Sequence, residues 1–390
     1  MIDVLRQRVD MIVPTQDPTG ERVLRCVRRY GRHSSSFQVL GSGYEYWFDD
    51  DDDDDDGDEA CVAYRRVGTT RVVAGPPLAP ASRMSSIVDR FAAATRAVGD
   101  RAVLFGVDAR FLDQVRGHEC ELDALHVGSE PTWDVSNYSL VGSRYRSLRS
   151  QIRRSQRNGI TIRRLDPVEY GTEQAPARKR VQRLIRTWQD TRKLEVMDFL
   201  VRVEPFSYPG ERRLYVAERG VELCGFLMAV PMYGADGWFI EDVIRHPGAP
   251  QGTTEALIAA AMRDAHQAGH SEVSLGLVPL ADVRGGEGAH RWLRALLRGC
   301  YANLETLYRF RGLHAFKARL RPDAWHAQYI VSLDGRVGLG AITSVLRAFS
   351  GGSLWAFSVA TVRRHLPGWR WGGGTQQVGT RMTPQVLRTR

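Results

Sequence analysis

Residues 237–254 read GWFIEDVIRHPGAPQGTT, and this stretch decides how the second half of the chain folds. Aromatic and β-branched side chains over 237–242 indicate a strand, which the prolines and glycines of 246–254 then end. We expect a helix to follow from about Thr254 to Ala268, and a further strand at 271–277. The order strand, turn, helix, strand predicts an α/β unit.

The first half of the chain repeats this order of elements. Four strand patterns between residues 37 and 74 precede a helix whose apolar positions recur at helical spacing from Ile87 to Val98. Another strand pattern follows at 103–107. A meander of strands, then a helix and a strand, is typical of acyltransferases of the GNAT type. The sequence therefore predicts an α/β fold with mixed sheets, made of two tandem GNAT-like domains and a helical, basic tail, with boundaries at 1–140, 141–335 and 336–390.

The chain carries a strong excess of positive charge. Residues outside the eight aspartates of 49–56 carry +17, which is the net charge of +9 with eight negative charges removed. Such an excess favours phosphate-bearing partners, either nucleic acid or anionic lipid headgroups. We interpret the aspartate run as a solvated loop rather than a calcium site, because a homopolymer lacks spaced ligands and a turn glycine.

The cysteines and the hydropathy pattern indicate which kinds of binding site and which cellular compartment to expect. The five cysteines show no CxxC pair and no Cys/His ligand spacing, so we expect neither a metal site nor a disulfide framework. The N-terminus lacks the apolar core of a signal peptide, and no run approaches the roughly 18 apolar residues that span a bilayer. The sequence predicts a cytoplasmic protein that can rest peripherally on the inner membrane face.

A basic helix is predicted at 142–159, between the two units. It contains six arginines and no acid, and Asn158-Gly159 provides a stop signal. Solvated helix faces usually interleave acids with bases, so the uncompensated arginines indicate phosphate contact. The candidate contacts are Arg149, Arg153, Arg154 and Arg157.

Two amphipathic segments follow residue 335. One apolar stripe runs from Leu339 to Phe349 and the other from Trp355 to Leu366. Packing against the protein and binding to an anionic membrane both fit an apolar stripe with a basic flank.

Residues 308–320, YRFRGLHAFKARL, hold four cations, one histidine and four large apolar side chains. This mixture suits neither a solvated face nor a simple core. Cations held on an aromatic framework suit an anionic ligand. The candidate ligand-binding residues here are Tyr308, Arg309, Arg311, Phe316 and Arg319.

From about Tyr30 to Tyr329 the chain resembles the C-terminal catalytic domain of bacterial phosphatidylglycerol lysyl- and alanyltransferases. The matches are most specific over 237–329, and the stretches 30–33 and 127–131 also fit. Ordered matches in the second half include Trp188, Asp242, Arg245, His246-Pro247, Ala249-Pro250, Gly252, Leu275-Gly276-Leu277, Pro279-Leu280, Tyr308, Phe310, Gly312-Leu313, Phe316-Lys317 and Trp325. The resemblance implies transfer of an amino acid from aminoacyl-tRNA to a lipid hydroxyl, with the arginines of the basic helix as tRNA-binding residues.

The resemblance and the reaction together suggest catalytic roles. The tRNA ester is already activated, so the enzyme has to orient a nucleophile, remove its proton and stabilise the oxyanion. We expect Asp242 to accept that proton or to hold the α-ammonium group of the amino acid. Arg245 is expected to clamp a phosphate or to pair with Asp242, and Lys317 to lie near the ester carbonyl or the terminal phosphate.

The turn at 246–254 completes the predicted substrate site through His246 and Gly252. Glycine there lets backbone approach a ligand, and the helix start offers free N–H groups to an anion. Ordinary GNAT enzymes hold coenzyme A at this place with a glycine-rich loop, but here two prolines occur. We therefore expect no cofactor, neither coenzyme A nor ATP, with aminoacyl-tRNA and an anionic membrane lipid as partners.

Two departures from the family leave the acceptor open. The sequence shows no multi-helix membrane domain, and Arg153 stands where the family commonly has asparagine. The acceptor could be phosphatidylglycerol, another lipid, or a soluble hydroxyl or amine. Two further functions fit the same fold: an acyl-CoA-dependent GNAT N-acyltransferase, and a non-catalytic module that binds RNA or membranes.

Overall fold

The computed structural model describes residues 17–49, 59–115, 122–191, 199–279, 281 and 310–350. Twelve strands in these ranges form one sheet. They are β1 (Glu45–Asp49), β2 (Ala60–Val67), β3 (Thr70–Ala74), β4 (Arg101–Asp108), β5 (Asp123–Asp134), β6 (Thr161–Leu165), β7 (Arg213–Arg219), β8 (Glu222–Met232), β9 (Gly237–Arg245), β10 (Glu272–Ser274), β11 (Val278–Pro279) and β12 (Ala324–Ser332).

The strand order is β1-β2-β3-β4-β12-β5-β10-β9-β8-β7-β6, and β11 pairs with β5. Only β3–β4 and β9–β10 pair in parallel among these strands. The last strand, β12, lies between β4 and β5, while β5 pairs with β10 from the second half. The predicted boundary at residue 140 therefore falls in a connection, but the sheet continues across it.

Nine helices in the described ranges cover the two faces of the sheet. They are α1 (Pro18–Tyr30), α2 (Met84–Ala97), α3 (Ala109–Gln114), α4 (Arg146–Arg157), α5 (Pro167–Tyr170), α6 (Pro176–Asp190), α7 (Thr253–Gln267), α8 (Phe310–Arg319) and α9 (Leu339–Phe349). Over the first half, α1 and α9 pack on one face and α2 and α3 on the other. Over the second half, α4 and α7 share one face and α6 covers the opposite face.

Alternation along the strands explains this layering. In β2, Ala60 and Val62 contact the core under α2, while Cys61 and Ala63 contact the core under α1 and α9. Both faces of the central strands are apolar because helices cover both faces. The mixed α/β fold predicted from the sequence is confirmed.

Most predicted elements are present, with one exception at residues 37–40. That strand prediction is wrong, because Gln38–Leu40 form a 3₁₀ turn whose Leu40 and Gly41 N–H groups bond to Phe37 and Gln38. Its apolar side chains are buried, so hydrophobicity there reflects core packing and not a strand.

The first tail segment packs against the protein. In α9, Ile342 and Val345 are buried in the core, and the Phe349 ring lies 5.1 Å from that of Phe105 and 5.2 Å from that of Phe199. The second segment, 355–366, lies outside the described residues. No helix among the described residues has the length and hydropathy to cross a membrane.

The aspartate run begins inside the fold. Asp49 is buried at the end of β1 and forms ion pairs with Arg83, at 2.8 Å, and with Arg90. The solvated-loop prediction is therefore wrong for Asp49, since this carboxylate is buried and has two arginine partners. The remaining aspartates, 50–56, lie outside the described residues.

Candidate functional site

A bulge in β9 shapes the region where the predicted catalytic residues lie. Ile240 pairs opposite Ala229 and Asp242 opposite Met228, so Glu241 is an extra residue on its strand. Such an insertion re-aims the neighbouring side chains. As a result Glu241 and Asp242 both lie beside the same buried guanidinium, that of Arg212.

Strands β9 and β10 part after a short paired stretch and leave an opening between them. The two strands pair only over Glu272–Ser274 and Gly237–Phe239. The chain then turns at Gly276, whose φ is +73°, and an added Cβ would lie 2.7 Å from the Phe239 ring. Among the described strands none pairs with this edge of β9 after Phe239. The edge can therefore receive the amide groups of an extended ligand.

Lys317 holds the segment that turns away. Its Nζ donates to the carbonyl oxygens of Leu275, at 2.7 Å, Gly276, at 2.9 Å, and Leu277, at 3.5 Å. Burial lowers the pKa of Lys317 to about 7, and the negative charge of Glu130 opposes that shift. Three carbonyls match the three protons of an ammonium group, which gives Lys317 a positioning role. Its predicted catalytic role stays a prediction.

A buried polar cluster lies at the start of the opening. The Glu130 carboxylate accepts hydrogen bonds from Ser34, at 3.0 Å, and from Ser274. His33 Nε2 lies 3.8 Å from Glu130 and 3.1 Å from the side-chain oxygen of Gln328. The sequence matched the stretches 30–33 and 127–131 to the family but assigned them no site. Polar residues inside strand patterns were the signal that could have indicated one.

Asp242 lies half-buried on the α6 side of β9. Its Oδ2 is buried and has no hydrogen-bond partner among the described residues. Burial, and then the charge of Glu241, raise the pKa of Asp242 well above its usual range, while Arg212 opposes the shift. Because Arg212 already pairs with Glu241, its positive charge only partly offsets the effect of burial on the pKa of Asp242.

Arg245 lies on the opposite side of β9. Arg245 is three positions after Asp242, and side chains an odd number of positions apart in a strand lie on opposite faces. Its Nη1 donates to the carbonyl oxygens of Ala249, at 3.2 Å, and Pro250, at 3.4 Å. The predicted pairing of Arg245 with Asp242 is therefore wrong, and the phosphate-clamp alternative stays a prediction.

A cavity of about 450 Å³ lies between α4, α7 and α8. It brings together four residues that the sequence singled out: Arg245, Gly252, Phe316 and Arg319. Two guanidinium groups face it against one carboxylate, that of Glu255, so the cavity suits an anion that also carries apolar or polar parts. The full lining is Ser147, Leu148, Gln151, Arg245, Gln251, Gly252, Thr254, Glu255, Phe316, Arg319 and Leu320.

Gly252 permits a close contact between two helices. Its φ is +88°, and an added Cβ would lie 2.0 Å from the backbone oxygen of Gln151 in α4. The backbone that approaches Gly252 is therefore that of α4, whereas the sequence predicted a ligand. His246 accepts a hydrogen bond from Gly248 N–H at 3.1 Å and does not line the cavity.

The arginines of α4 divide into two groups. Arg149 is half-buried and donates to the carbonyl oxygens of Gly142, at 2.6 Å, and Leu140. It thus fixes the entry to the helix, and its tRNA-binding role stays a prediction. Arg153, Arg154 and Arg157 are exposed and form no ion pair with a described residue, so their tRNA-binding role stays a prediction.

The remaining predicted ligand-binding residues of 308–320 are only partly described. Tyr308 and Arg309 lie outside the described residues, as does the side chain of Arg311. Phe316 packs on the core shared by α4 and α7 and lines the cavity with the exposed Arg319. Within the described ranges, no group of three or more His, Cys, Asp or Glu residues could hold a metal ion.

Comparison with known proteins places these features in a family. Residues 24–332 match the family model described as phosphatidylglycerol lysyltransferase, C-terminal. The phosphatidylglycerol lysyltransferase of Bacillus subtilis is 22% identical over 335 residues, which cover 85% of this chain and 37% of that protein. An MprF-like domain protein of Mycobacterium tuberculosis is 28% identical over 276 residues, covering 67% of this chain and 55% of that protein.

Solved structures show the same fold. The C-terminal domain of a putative lysylphosphatidylglycerol synthetase from Agrobacterium fabrum superimposes with a TM-score of 0.71 at 20% identity, covering 86% of this chain and 98% of that one. L-PGS from Bacillus licheniformis gives a TM-score of 0.68 at 19% identity, covering 86% and 97%. The resemblance and the tandem GNAT-like fold predicted from the sequence are confirmed, although the chain spans only about a third to a half of the curated relatives' length.

Proposed function

Because the chain belongs to the phosphatidylglycerol lysyltransferase C-terminal domain family, we propose that it transfers an amino acid from aminoacyl-tRNA to a hydroxyl group of a membrane lipid. One observation carries the proposal: strand β9, whose edge is open after Phe239, contributes Arg245 to a cation-lined cavity on one face of the sheet and Asp242 to the other face. Two substrates can thus approach one reaction centre from opposite faces of the sheet.

The donor end of the tRNA fits the side that carries α4. Arg245 and Arg319 would bind phosphates at the cavity, since guanidinium groups match phosphate oxygens in geometry and charge. The exposed Arg153, Arg154 and Arg157 extend this positive surface along the helix toward more distant phosphates. The aminoacyl ester would then enter the opening, where the free edge of β9 can orient it.

The transfer exchanges one ester for another. The lipid hydroxyl oxygen forms a bond to the ester carbonyl carbon, the bond from that carbon to the tRNA ribose oxygen breaks, and the hydroxyl proton ends on the ribose oxygen. No ATP or coenzyme A is needed, because the leaving ester is already activated. The contact between Gly252 and the α4 backbone, in the turn where coenzyme A enzymes carry a glycine-rich loop, supports this expectation.

Asp242 would act as a carboxylate once the substrate is bound. Burial raises the pKa of Asp242, and the positive charge of an entering α-ammonium group would favour the carboxylate again. Asp242 then either holds that ammonium or accepts the proton of the attacking hydroxyl. Both roles need the negatively charged carboxylate.

The test is to incubate the protein with a pool of radiolabelled aminoacyl-tRNAs and a total lipid extract, and to measure label in the organic phase. We expect labelled lipid, and a loss of about 100-fold or more for Asp242→Asn, since positioned acid–base groups contribute about that much. Glu173→Gln, at an exposed carboxylate, is the matched control. Absence of labelled lipid with every amino acid would refute the lipid acceptor, and acetyl-CoA-dependent acylation would support the rival function.

A further inference from the structure

The cations of α6 divide into structural and free groups. Arg178 donates to the Gly171 carbonyl at 3.3 Å, and Arg180 pairs with Glu218 at 2.8 Å. Three other cations are exposed, and their side chains form no ion pair with a described residue: Lys179, Arg183 and Arg186. We call these three residues the α6 cationic surface.

The three free cations lie on one face of the helix. Their spacing of four and then three residues keeps them in line, opposite Val181 and Leu184, which are buried in the core. The helix contains a single acid, Asp190, at its last position. A regular row of cations pointing away from the core suits a broad anionic surface more than an internal ion pair.

Nearby acids are already neutralised by other arginines. Glu218 also binds Arg163, at 3.2 Å, in addition to Arg180. Glu222 binds Arg219 at 2.7 Å. The α6 cationic surface therefore keeps its charge available to an external partner.

Exposed aliphatic side chains accompany these cations. Val221, in the β7–β8 turn, is 95% exposed, and its carbonyl accepts a hydrogen bond from Arg180 of α6. Val168, in α5 beside α6, is 57% exposed. Cations with exposed aliphatic groups fit the headgroup and acyl boundary of a bilayer, whereas RNA surfaces typically offer stacking aromatics.

The position of α6 agrees with a lipid-facing role. Helix α6 packs on the same sheet face as Met228, which pairs opposite Asp242 in the register of β8 and β9. The arginines of α4 and the cation-lined cavity lie on the other face. The two cationic surfaces of the second half are thus on opposite sides of the sheet.

We propose that the α6 cationic surface, Lys179, Arg183 and Arg186, docks the protein on an anionic membrane so that the Asp242 side of the sheet faces the lipid. That this lipid is also the acceptor rests on the proposed function, but the docking itself does not. Each cation near an anionic surface adds a similar increment of binding energy, and salt weakens the sum.

The experiment compares two triple variants of the full chain in vesicle co-sedimentation. One carries Lys179→Gln, Arg183→Gln and Arg186→Gln, and the other removes three exposed charges from α4 through Arg146→Gln, Arg153→Gln and Arg157→Gln. Vesicles contain phosphatidylcholine with or without phosphatidylglycerol. We expect the α6 variant to bind anionic vesicles about 100-fold more weakly, and the α4 variant to bind them nearly as well as the unmodified protein. Melting temperatures confirm that both variants fold.

Three outcomes would overturn the docking proposal. In the first, both variants lose the same amount of binding to anionic vesicles. In the second, the α6 variant binds these vesicles as well as the unmodified protein does. In the third, the α6 variant binds vesicles normally but retains less tRNA on filters. The last would assign the surface to RNA. Aminoacyl transfer to a dispersed short-chain lipid separates the docking proposal from the proposed function. If the α6 variant transfers the amino acid to the dispersed lipid but not to vesicle lipid, docking is supported. If the unmodified protein binds vesicles but transfers an amino acid to no lipid, only the proposed function is refuted.

Discussion

Replacing Lys317 with methionine should change how stability depends on pH. Lys317 is 6% exposed, and its pKa is lowered from 10.5 to about 7 by burial. Between those two values the unfolded chain holds a proton that the folded protein has released. Stability rises with pH wherever the unfolded state binds more protons, so Lys317 adds stability as the pH increases from 7 toward 10.

The expected size follows from linkage. One proton of difference corresponds to about 1.4 kcal/mol per pH unit, so the free energy of unfolding should rise by about 2 kcal/mol from pH 7 to pH 8.5 on account of Lys317 alone. Below pH 7 Lys317 is protonated in both the folded and the unfolded state, so its contribution to the pH dependence of stability levels off. Lys317→Met removes the titrating group and with it this slope.

Urea unfolding curves for both proteins between pH 6 and 8.5 measure the effect. The relevant quantity is the difference in unfolding free energy between the unmodified protein and Lys317→Met, because titrations elsewhere in the chain cancel in that difference. Lys317→Arg, which stays charged throughout, should lack the slope as well. If the difference between the unmodified protein and Lys317→Met is constant with pH, Lys317 does not titrate in this range and the reasoning fails.

Three further predictions concern stability. Gly252→Ala should lower the free energy of unfolding, measured by thermal unfolding, by about 2–4 kcal/mol. Gly269→Ala, at a similar φ of +81° but with open space around it, should lower it by only about 1 kcal/mol. Equal costs would exclude the α4 contact as the cause. Arg212→Met should destabilise by about 3–5 kcal/mol in denaturant unfolding, because it leaves the buried Glu241 carboxylate unpaired, and an unchanged unfolding midpoint would contradict that pairing. Phe349→Ala should cost about 2–4 kcal/mol by denaturant unfolding, and an unchanged midpoint would show that α9 is not docked.

Local sequence was enough to predict the elements around the site. The strand that begins at Gly237 and the helix after Gly252 are where the pattern placed them, since both depend on residues close in the chain. The pattern also ended the strand at Asp242, whereas β9 continues to Arg245. That difference of three residues hid the fact that the two side chains point to opposite faces.

Side-chain partners distant in sequence could not be predicted. Lys317 is buried by carbonyls some forty residues earlier, and a cationic, aromatic segment gives no indication of that contact. Arg149 resembles its exposed neighbours in every local respect, yet it bonds to the chain before the helix. In both cases tertiary packing decides which cations are free for ligands, and the sequence pattern alone treated them alike.

The place of β12 between β4 and β5 has a consequence for how the protein is made. Residues 324–332 are among the last of the sheet to leave the ribosome, yet they join strands that were synthesised some two hundred residues earlier. The first half therefore cannot complete its sheet until residues 324–332 have been synthesised, and the place between β4 and β5 is filled only then. Contacts of such long sequence separation slow folding, so the two halves should fold as one late, cooperative unit.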